Sequence, residues 1–520
     1  MKIGSNCFRI IRMKTLLTLF VLLFSSSVFA EIVTLDDGRV IDLKADGTFT
    51  VISKKTNKID NNFHDSIIFL LDLSGVSYET INFLDDSSFV LKNINIENSM
   101  QIEELTLIGL NREYFQNFNL KKFDTYKGKL FKKLSIKNYS LIDGDFKNKI
   151  GLIDINDLDI KKIHILKKLI ESALGISSIP DIADILLLID NFNLNKMIID
   201  DFYLTDVDMK GHWNSLVLNN LKNSSLGNLY YTDFELNDVN EIIKIDKFEI
   251  NNLLFNRPAT YTVNWNEFNL LNDPLILFSF FKSLRRVNVI GYYQKDKSSG
   301  IEVVIDESEI ADFNTKKINN LSIPVSFKAR TSGTKISTIN NLLNTELKKL
   351  NYNEIKFDSE LILEWNTTFN TFAINYQIGM QNGFDLNIEA QIDNLNINLI
   401  NLIGIYPDLM NSLMAEPGIK KVKISFQDKG LTNKLINYVA LDSNMTKNEF
   451  IDHIIEQIES DEIIKNSLKD DFIIKLTKFL QQPNRIAFSI NPSTPLSYED
   501  ITLLLGNPNL LVELLNLKIE

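Results

Sequence analysis

The chain has 520 residues, of which 44% are apolar and 23% charged. That is enough apolar material for a real core, so disorder over most of the length is excluded. The formal net charge is −12, which argues against nucleic acid or anionic lipid headgroups as electrostatic partners.

Residues 1–30 have the form of a secretory signal peptide. Lys2, Arg9, Arg12 and Lys14 make a basic leader, residues 15–24 are apolar, and Ser25, Ser26 and Ser27 follow. Val28-Phe29-Ala30 suits signal peptidase, so a cut after Ala30 and a periplasmic location are expected. A start at Met13 would leave a complete signal as well. The apolar run is short of the ~20 residues a membrane span needs. The leader carries four basic residues and no acidic one, so its removal takes the net charge from −12 to −16. The single cysteine, Cys7, lies in the leader away from the cut. The mature chain is therefore expected to have no lipid anchor at a cysteine, no disulfide and no thiolate chemistry. No later stretch is apolar for about 18 residues, so no stable transmembrane segment is expected in the mature chain.

Residues 31–52 read as a small β-meander module, with Asp36-Asp37-Gly38 and Asp46-Gly47 as its two turns. Their aspartates lack the further oxygen ligands of a calcium loop. The T-L-D-D-G-R run followed by D-G-T resembles small hairpin modules at the mature N-terminus of some bacterial envelope proteins, a resemblance that implies no chemistry. Residues 53–63 are polar and read as a linker.

Residues 64–256 form a β-rich region in which one phrase returns at irregular spacing: FVLKNINIEN, LFKKLSIKNYSL, IGLIDINDLDI, KMIIDDFYLTDVD, LVLNNLKNSSL and IIKIDKFEINNL. Each alternates apolar and polar residues and is kinked by an Asn or Asp, which tolerate left-handed backbone and mark bulges or corners. A helical insertion is expected at 161–194, broken by Gly175 and Pro180.

Residues 257–431 make a second β-rich region. It opens with a helix at 273–287 that has Pro274 in its first turn and Arg285 and Arg286 at its end. A long hairpin spans 354–399, and its clearest part is 372–392. There, Phe372, Ile374, Tyr376, Ile378 and Met380 alternate with small or polar residues, Gln381-Asn382-Gly383 turns the chain, and the alternation resumes with Phe384, Leu386, Ile388, Ala390 and Ile392. A period of two places these apolar side chains on one face.

Residues 432–520 read as a helix-rich C-terminal region with a return strand at 485–490. Thr446 and Glu449 have the spacing of a capping box. The fold class expected from the whole is α+β and β-dominated: an elongated antiparallel sheet body with helical insertions and a helix-rich C-terminal part.

Signatures of chemistry are scarce. His64, His164, His212 and His453 have no metal-ligand spacing. His453 lies between Glu449 and Glu456 on a helix, and a solvated face explains that spacing. There is no nucleophile elbow, phosphate loop or dinucleotide fingerprint. Trp213, Trp265 and Trp365 are dispersed, unlike a sugar platform. No cofactor or metal is expected, and an enzyme, a hydrolase included, is the least favoured class.

The phrase IKIDKFEINNL at 243–253 and the D-K-G-L strand end at 428–431 resemble those of the AsmA-like, β-rich envelope proteins of Gram-negative bacteria. That resemblance implies a role in outer-membrane maintenance and a hydrophobic groove that carries lipid. The chain departs from the family in lacking its usual transmembrane N-terminus. Two readings follow. In one, the protein binds a lipid-like or apolar ligand in a sheet groove lined by Phe372, Ile374, Tyr376, Ile378, Phe384, Leu386 and Ile388. In the other, these residues are ordinary core, and the protein is a structural or interaction component that meets an envelope protein partner through 432–482 or its apolar tail.

Overall fold

A computed structural model describes residues 31–34, 40–43, 49–53, 63–73, 76–96, 99–111, 128–161, 191–256, 281–318, 321–338, 342–396, 417–460, 470–497, 500–501 and 508–520. The leader at 1–30, its cut site, most of the 53–63 linker, and 162–190 of the expected helical insertion lie outside the described residues.

The first elements are β1 (Glu31–Thr34), β2 (Val40–Leu43) and β3 (Phe49–Ser53). They pair in that order as a separate three-stranded antiparallel sheet. The expectation of an α+β chain with a helix-rich C-terminal part is corrected. Among the described residues, 66% are strand and 17% helix, mostly in one large antiparallel sheet of 19 strands. It divides into two compact units, one of 1–238 and 254–269, the other of 239–253 and 270–520.

In the first unit, helix α1 (Phe63–Leu73) precedes the strands β4 (Thr80–Asp85), β5 (Ser88–Ile96) and β6 (Met100–Ile108). Next come β7 (Gly128–Asp143), β8 (Phe146–Ile160), β9 (Phe192–Asp206), β10 (Met209–Lys222) and β11 (Ser225–Asp238). Each pairs antiparallel with its sequence neighbour.

From β4 to β9 their apolar face is packed into one core, and on β10 and β11 it is mostly half-buried. Leu130, Phe131 and Leu134 are wholly buried, and they join Leu91, Ile102, Leu107, Ile153 and α1's Phe63 in one core. Asparagine and aspartate explain how such long strands keep one face inward. In β5 the buried apolar residues are Phe89 and Leu91, then Ile94 and Ile96, so the parity changes at Asn93, whose φ is 49°. Asn138 in β7, Asp157 in β8 and Asp201 in β9 are also left-handed, and the inward residues change parity there as well. Each is a left-handed kink at which one residue on each paired strand is passed over with the register unchanged, so neighbouring strands change parity together and keep the apolar face toward the core.

The second unit begins with β12 (Glu241–Phe255), β13 (Phe281–Asp296), β14 (Ile301–Ile318) and β15 (Leu321–Thr338). After helix α2 (Leu342–Lys349) come β16 (Ile355–Asn366), β17 (Thr371–Met380), β18 (Phe384–Asp393) and β19 (Gly418–Asp428). Helices α3 (Leu431–Asp442), α4 (Lys447–Ser460) and α5 (Asp470–Gln481) lead to β20 (Arg485–Ile490). The chain ends with β21 (Leu496–Ser497), α6 (Pro508–Leu515) and β22 (Lys518–Ile519). These C-terminal helices are short, and the chain returns to the sheet three times after them. β20 and β21 pair with β19, and β22 pairs with β20.

The helix expected at 273–287 is also corrected where it is described, because residues 281–287 belong to β13. Its pairing with β14 overrides the local helical pattern. Arg286 serves no helix end. Its Nε lies 2.6 Å from Glu309 Oε1 and its Nη2 3.4 Å from Glu307 Oε1, both across the ladder on β14.

Local chemistry sets the junctions. Asn382 (φ 55°) turns β17 into β18. After β19, Asp428 accepts hydrogen bonds from the amides of Gly430 (2.9 Å) and Thr432 (2.8 Å), satisfying free donors at the start of α3. At α4, Thr446 N–H donates to Glu449 (2.7 Å) and Glu449 N–H donates to Thr446 Oγ1 (3.3 Å), a reciprocal capping box.

Candidate functional site

Register assembles the candidate face from residues that sequence separates. Directly paired residues on antiparallel strands point to the same side. Across β16 to β20, one row reads Leu363, Ile374, Ala390, Val422, Ile490. The next reads Leu361, Tyr376, Ile388, Ile424, Phe488, and the third Ser359, Ile378, Leu386, Phe426, Ile486. Apart from Ser359, the face is thus apolar over five strands.

Its two ends are closed by packed clusters. At one end, Trp365 and Ile323 gather Val325, Phe372 and Leu395, and Trp365 Nε1 donates to Leu395 O at 3.0 Å. At the other, Leu347, Tyr352 and Met380 gather Phe357, Phe384 and Leu431, and Tyr352 donates to Asn382 O at 2.7 Å.

Between the ends the burial differs. Every residue of the first two rows is only partly buried, and Ile424 is 36% exposed. Among the described residues the cover lies at the β19–β20 side. There, α5 sets Phe479 edge-on to Phe426 at 6.1 Å and Phe472 against Phe488 at 5.7 Å.

All seven sequence-derived residues lie on this one face, but they divide in role. Phe372 and Phe384 pack into the closing clusters. Ile374, Tyr376, Ile378, Leu386 and Ile388 lie between them. Sequence reasoning missed Leu361 and Leu363 on β16, Val422 and Ile424 on β19, and Phe488 on β20. Each of those strands alternates, so the signal was present, but only the register joins them to the hairpin.

The opposite face of the same strands is polar. There, Lys421 donates to Glu389 at 3.1 Å and holds its carboxyl below the usual range.

The described histidines have ordinary partners. His64 stacks on Phe83 at 3.9 Å, and His212 lies against Tyr203. His453 Nε2 is 3.1 Å from Gln457 Nε2, while its neighbour Glu449 is engaged in the capping box. His164 lies outside the described residues. Among the described residues, no group of three or more His, Cys, Asp or Glu is placed to hold a metal ion. No helix among them is long and apolar enough to cross a membrane.

These features define a one-sided β-sheet protein with an apolar face closed at both ends. A family model described as an uncharacterized protein matches residues 377–520, from within β17 to the C-terminus. The match is not to the AsmA-like family. No curated protein matches the chain.

Proposed function

We propose that this is a non-enzymatic, exported envelope protein that holds a lipid-like or apolar ligand along the middle of the β16–β20 face. One observation carries the reading. Among the described residues, the same one-sided strand pattern is packed into a core over β4–β9 of the first unit, whereas on β16–β20 it is packed at its two ends and under α5 and is only partly buried between them. Apolar surface left partly in water is stabilised by an apolar occupant, at about 25 cal/mol for each Å² removed from water. Export rests on the leader at 1–30.

Native mass spectrometry of protein purified from its own envelope tests this. The expected result is a co-purifying lipid, displaced by the variant Ile388→Asp and retained by Leu134→Ala in the first unit. A ligand-free spectrum, together with no uptake of a fluorescent fatty acid in solution, would overturn it.

A second reading, a protein-interaction component of the envelope, rests on a different observation. Helix α3 exposes Leu435 (41%), Val439 (40%) and Leu441 (76%), and α5 exposes Ile474 (64%). Deleting 432–482 and finding the same proteins in a pull-down would count against it.

A further inference from the structure

The polar side of β15 to β20 holds a groove of about 670 Å³. Two rows of the ladder form its floor. The first runs Arg330, Glu360, Gln377, Asn387, Ser425, and the second Asp358, Gly379, Asp385, Gln427, Arg485. Gly379 carries no side chain at the centre of the second row. The groove continues past it into a further hollow of about 360 Å³ that shares Asp358, Gly379 and Asp385. Each guanidinium stands at one end of its row. Five ladder steps of ~4.8 Å separate β15 from β20, so the rows span about 24 Å of sheet.

The carboxylates of the groove are already engaged. Glu360 meets Lys328 at 2.7 Å, Asp385 meets Lys429 at 2.6 Å, and Asp358 accepts the Gly333 amide at 2.6 Å. They are therefore poor candidates for a cation. The guanidiniums of Arg330 and Arg485 differ. Both are exposed and have no carboxylate partner among the described residues, whereas Arg286 is held by two glutamates. Arginine presents a planar fork that matches carboxylate and phosphate oxygens. Between the two arginines, beside the engaged carboxylates of Glu360, Asp358 and Asp385, the groove is lined by the hydrogen-bonding side chains of Gln377, Asn387, Ser425 and Gln427. Gln377 and Ser425 are unpaired through their side chains among the described residues, and Asn387 Oδ1 is buried without a donor. Amides and hydroxyls of this kind both donate and accept, as sugar hydroxyls do.

We propose that this groove binds an acidic oligosaccharide, with carboxylate or phosphate groups on Arg330 and Arg485 and hydroxyls on the amides between them. The site is on the opposite side of the strands from the apolar face and does not depend on a lipid being bound there. A groove of this size takes a ligand of a few sugar units.

Calorimetry on the full chain tests the proposal with three probes: oligogalacturonate, neutral maltohexaose and inorganic pyrophosphate. Oligogalacturonate is expected to bind, at least tenfold more tightly than either of the others. The double variant Arg330→Gln/Arg485→Gln weakens it at least tenfold and leaves fatty-acid uptake unchanged. Gly379→Ser, which fills the floor without altering charge, also weakens it. Thermal melts confirm that each variant is folded. Absence of oligogalacturonate binding, or equal binding by the double variant, would overturn the site. Pyrophosphate binding as tight as oligogalacturonate would overturn the oligosaccharide assignment in favour of a simple anion.

Discussion

Enlarging Ala390 decides whether the middle of the apolar face is open. Ala390 lies in the first row, between Ile374 on β17 and Val422 on β19. A phenylalanine adds on the order of 100 Å² of apolar surface over alanine. In a filled core, that ring would overpack its neighbours and cost about 1–3 kcal/mol. On an open face the ring lies along Ile374 and Val422. Covering about half of the added surface then stabilises by ~1 kcal/mol at ~25 cal/mol per Å², and the greater strand preference of phenylalanine adds to it. The two arrangements therefore differ in sign. Ala487 on β20 supplies the contrast within the same unit. It is 0% exposed, and its backbone exchanges hydrogen bonds of 3.0 and 2.8 Å with Glu520. Ala487→Phe is expected to destabilise by about 1–3 kcal/mol or more. Hydrogen exchange of peptides covering 371–393, followed by mass spectrometry in increasing urea, reads both variants. An Ala390→Phe protein less stable by more than ~1 kcal/mol, close to Ala487→Phe, would refute the open face.

In the first unit, Leu134→Ala removes a wholly buried side chain and is expected to cost ~3 kcal/mol, measured by urea unfolding. Gly291→Ala is expected to be at least as disruptive to β13 as a core truncation. Its φ is +66°, and a Cβ there would collide with the Asp246 carboxylate, so far-ultraviolet circular dichroism should show an earlier melt. Thr446→Ala is expected to lower the stability of α4 by roughly 1 kcal/mol, seen as faster amide exchange in 447–460. The same helix should respond to acid. The Thr446 amide, and then its hydroxyl, lower the Glu449 carboxyl from the ordinary 4.5. Because the folded value is the depressed one, this contribution is present above pH 4.5 and is lost as pH falls through the folded value. A flat exchange profile for 447–460 from pH 5 to pH 3 would contradict it.

What was legible in the sequence was mostly local. The turn at Asn382 and the capping box at Thr446 and Glu449 depend on residues within a few positions of one another, and both appear in the structure. The one-sidedness of Phe372 to Ile388 follows from alternation alone. What escaped depends on pairing. Residues 281–287 carry an apolar and basic pattern that suits a helix, yet β14 provides a ladder and two carboxylates for Arg286, and the strand wins. The helices after β19 are recognisable piece by piece. Their small weight in the fold is not, because β20, β21 and β22 are defined by partners far away in sequence. For the same reason Arg330 and Arg485 looked unrelated until the register placed them at opposite ends of one groove. Phe372 and Phe384 could not be distinguished from Ile374 and Ile388, since alternation shows which face a side chain takes and not what lies above it.

The left-handed asparagines and aspartates of the first unit have a consequence for assembly. Its strands are variations on one phrase, so a strand offset by two residues, or laid beside the wrong neighbour, would still present an apolar face over half its length. The kink removes that freedom. A strand whose inward parity reverses at Asn93, Asn138, Asp157 or Asp201 can satisfy both halves at only one alignment with its neighbour. Replacing such a residue with one that keeps strict alternation would add mispaired and aggregating forms to the refolding products. These kinks are alignment marks that keep near-identical strands from being exchanged for one another.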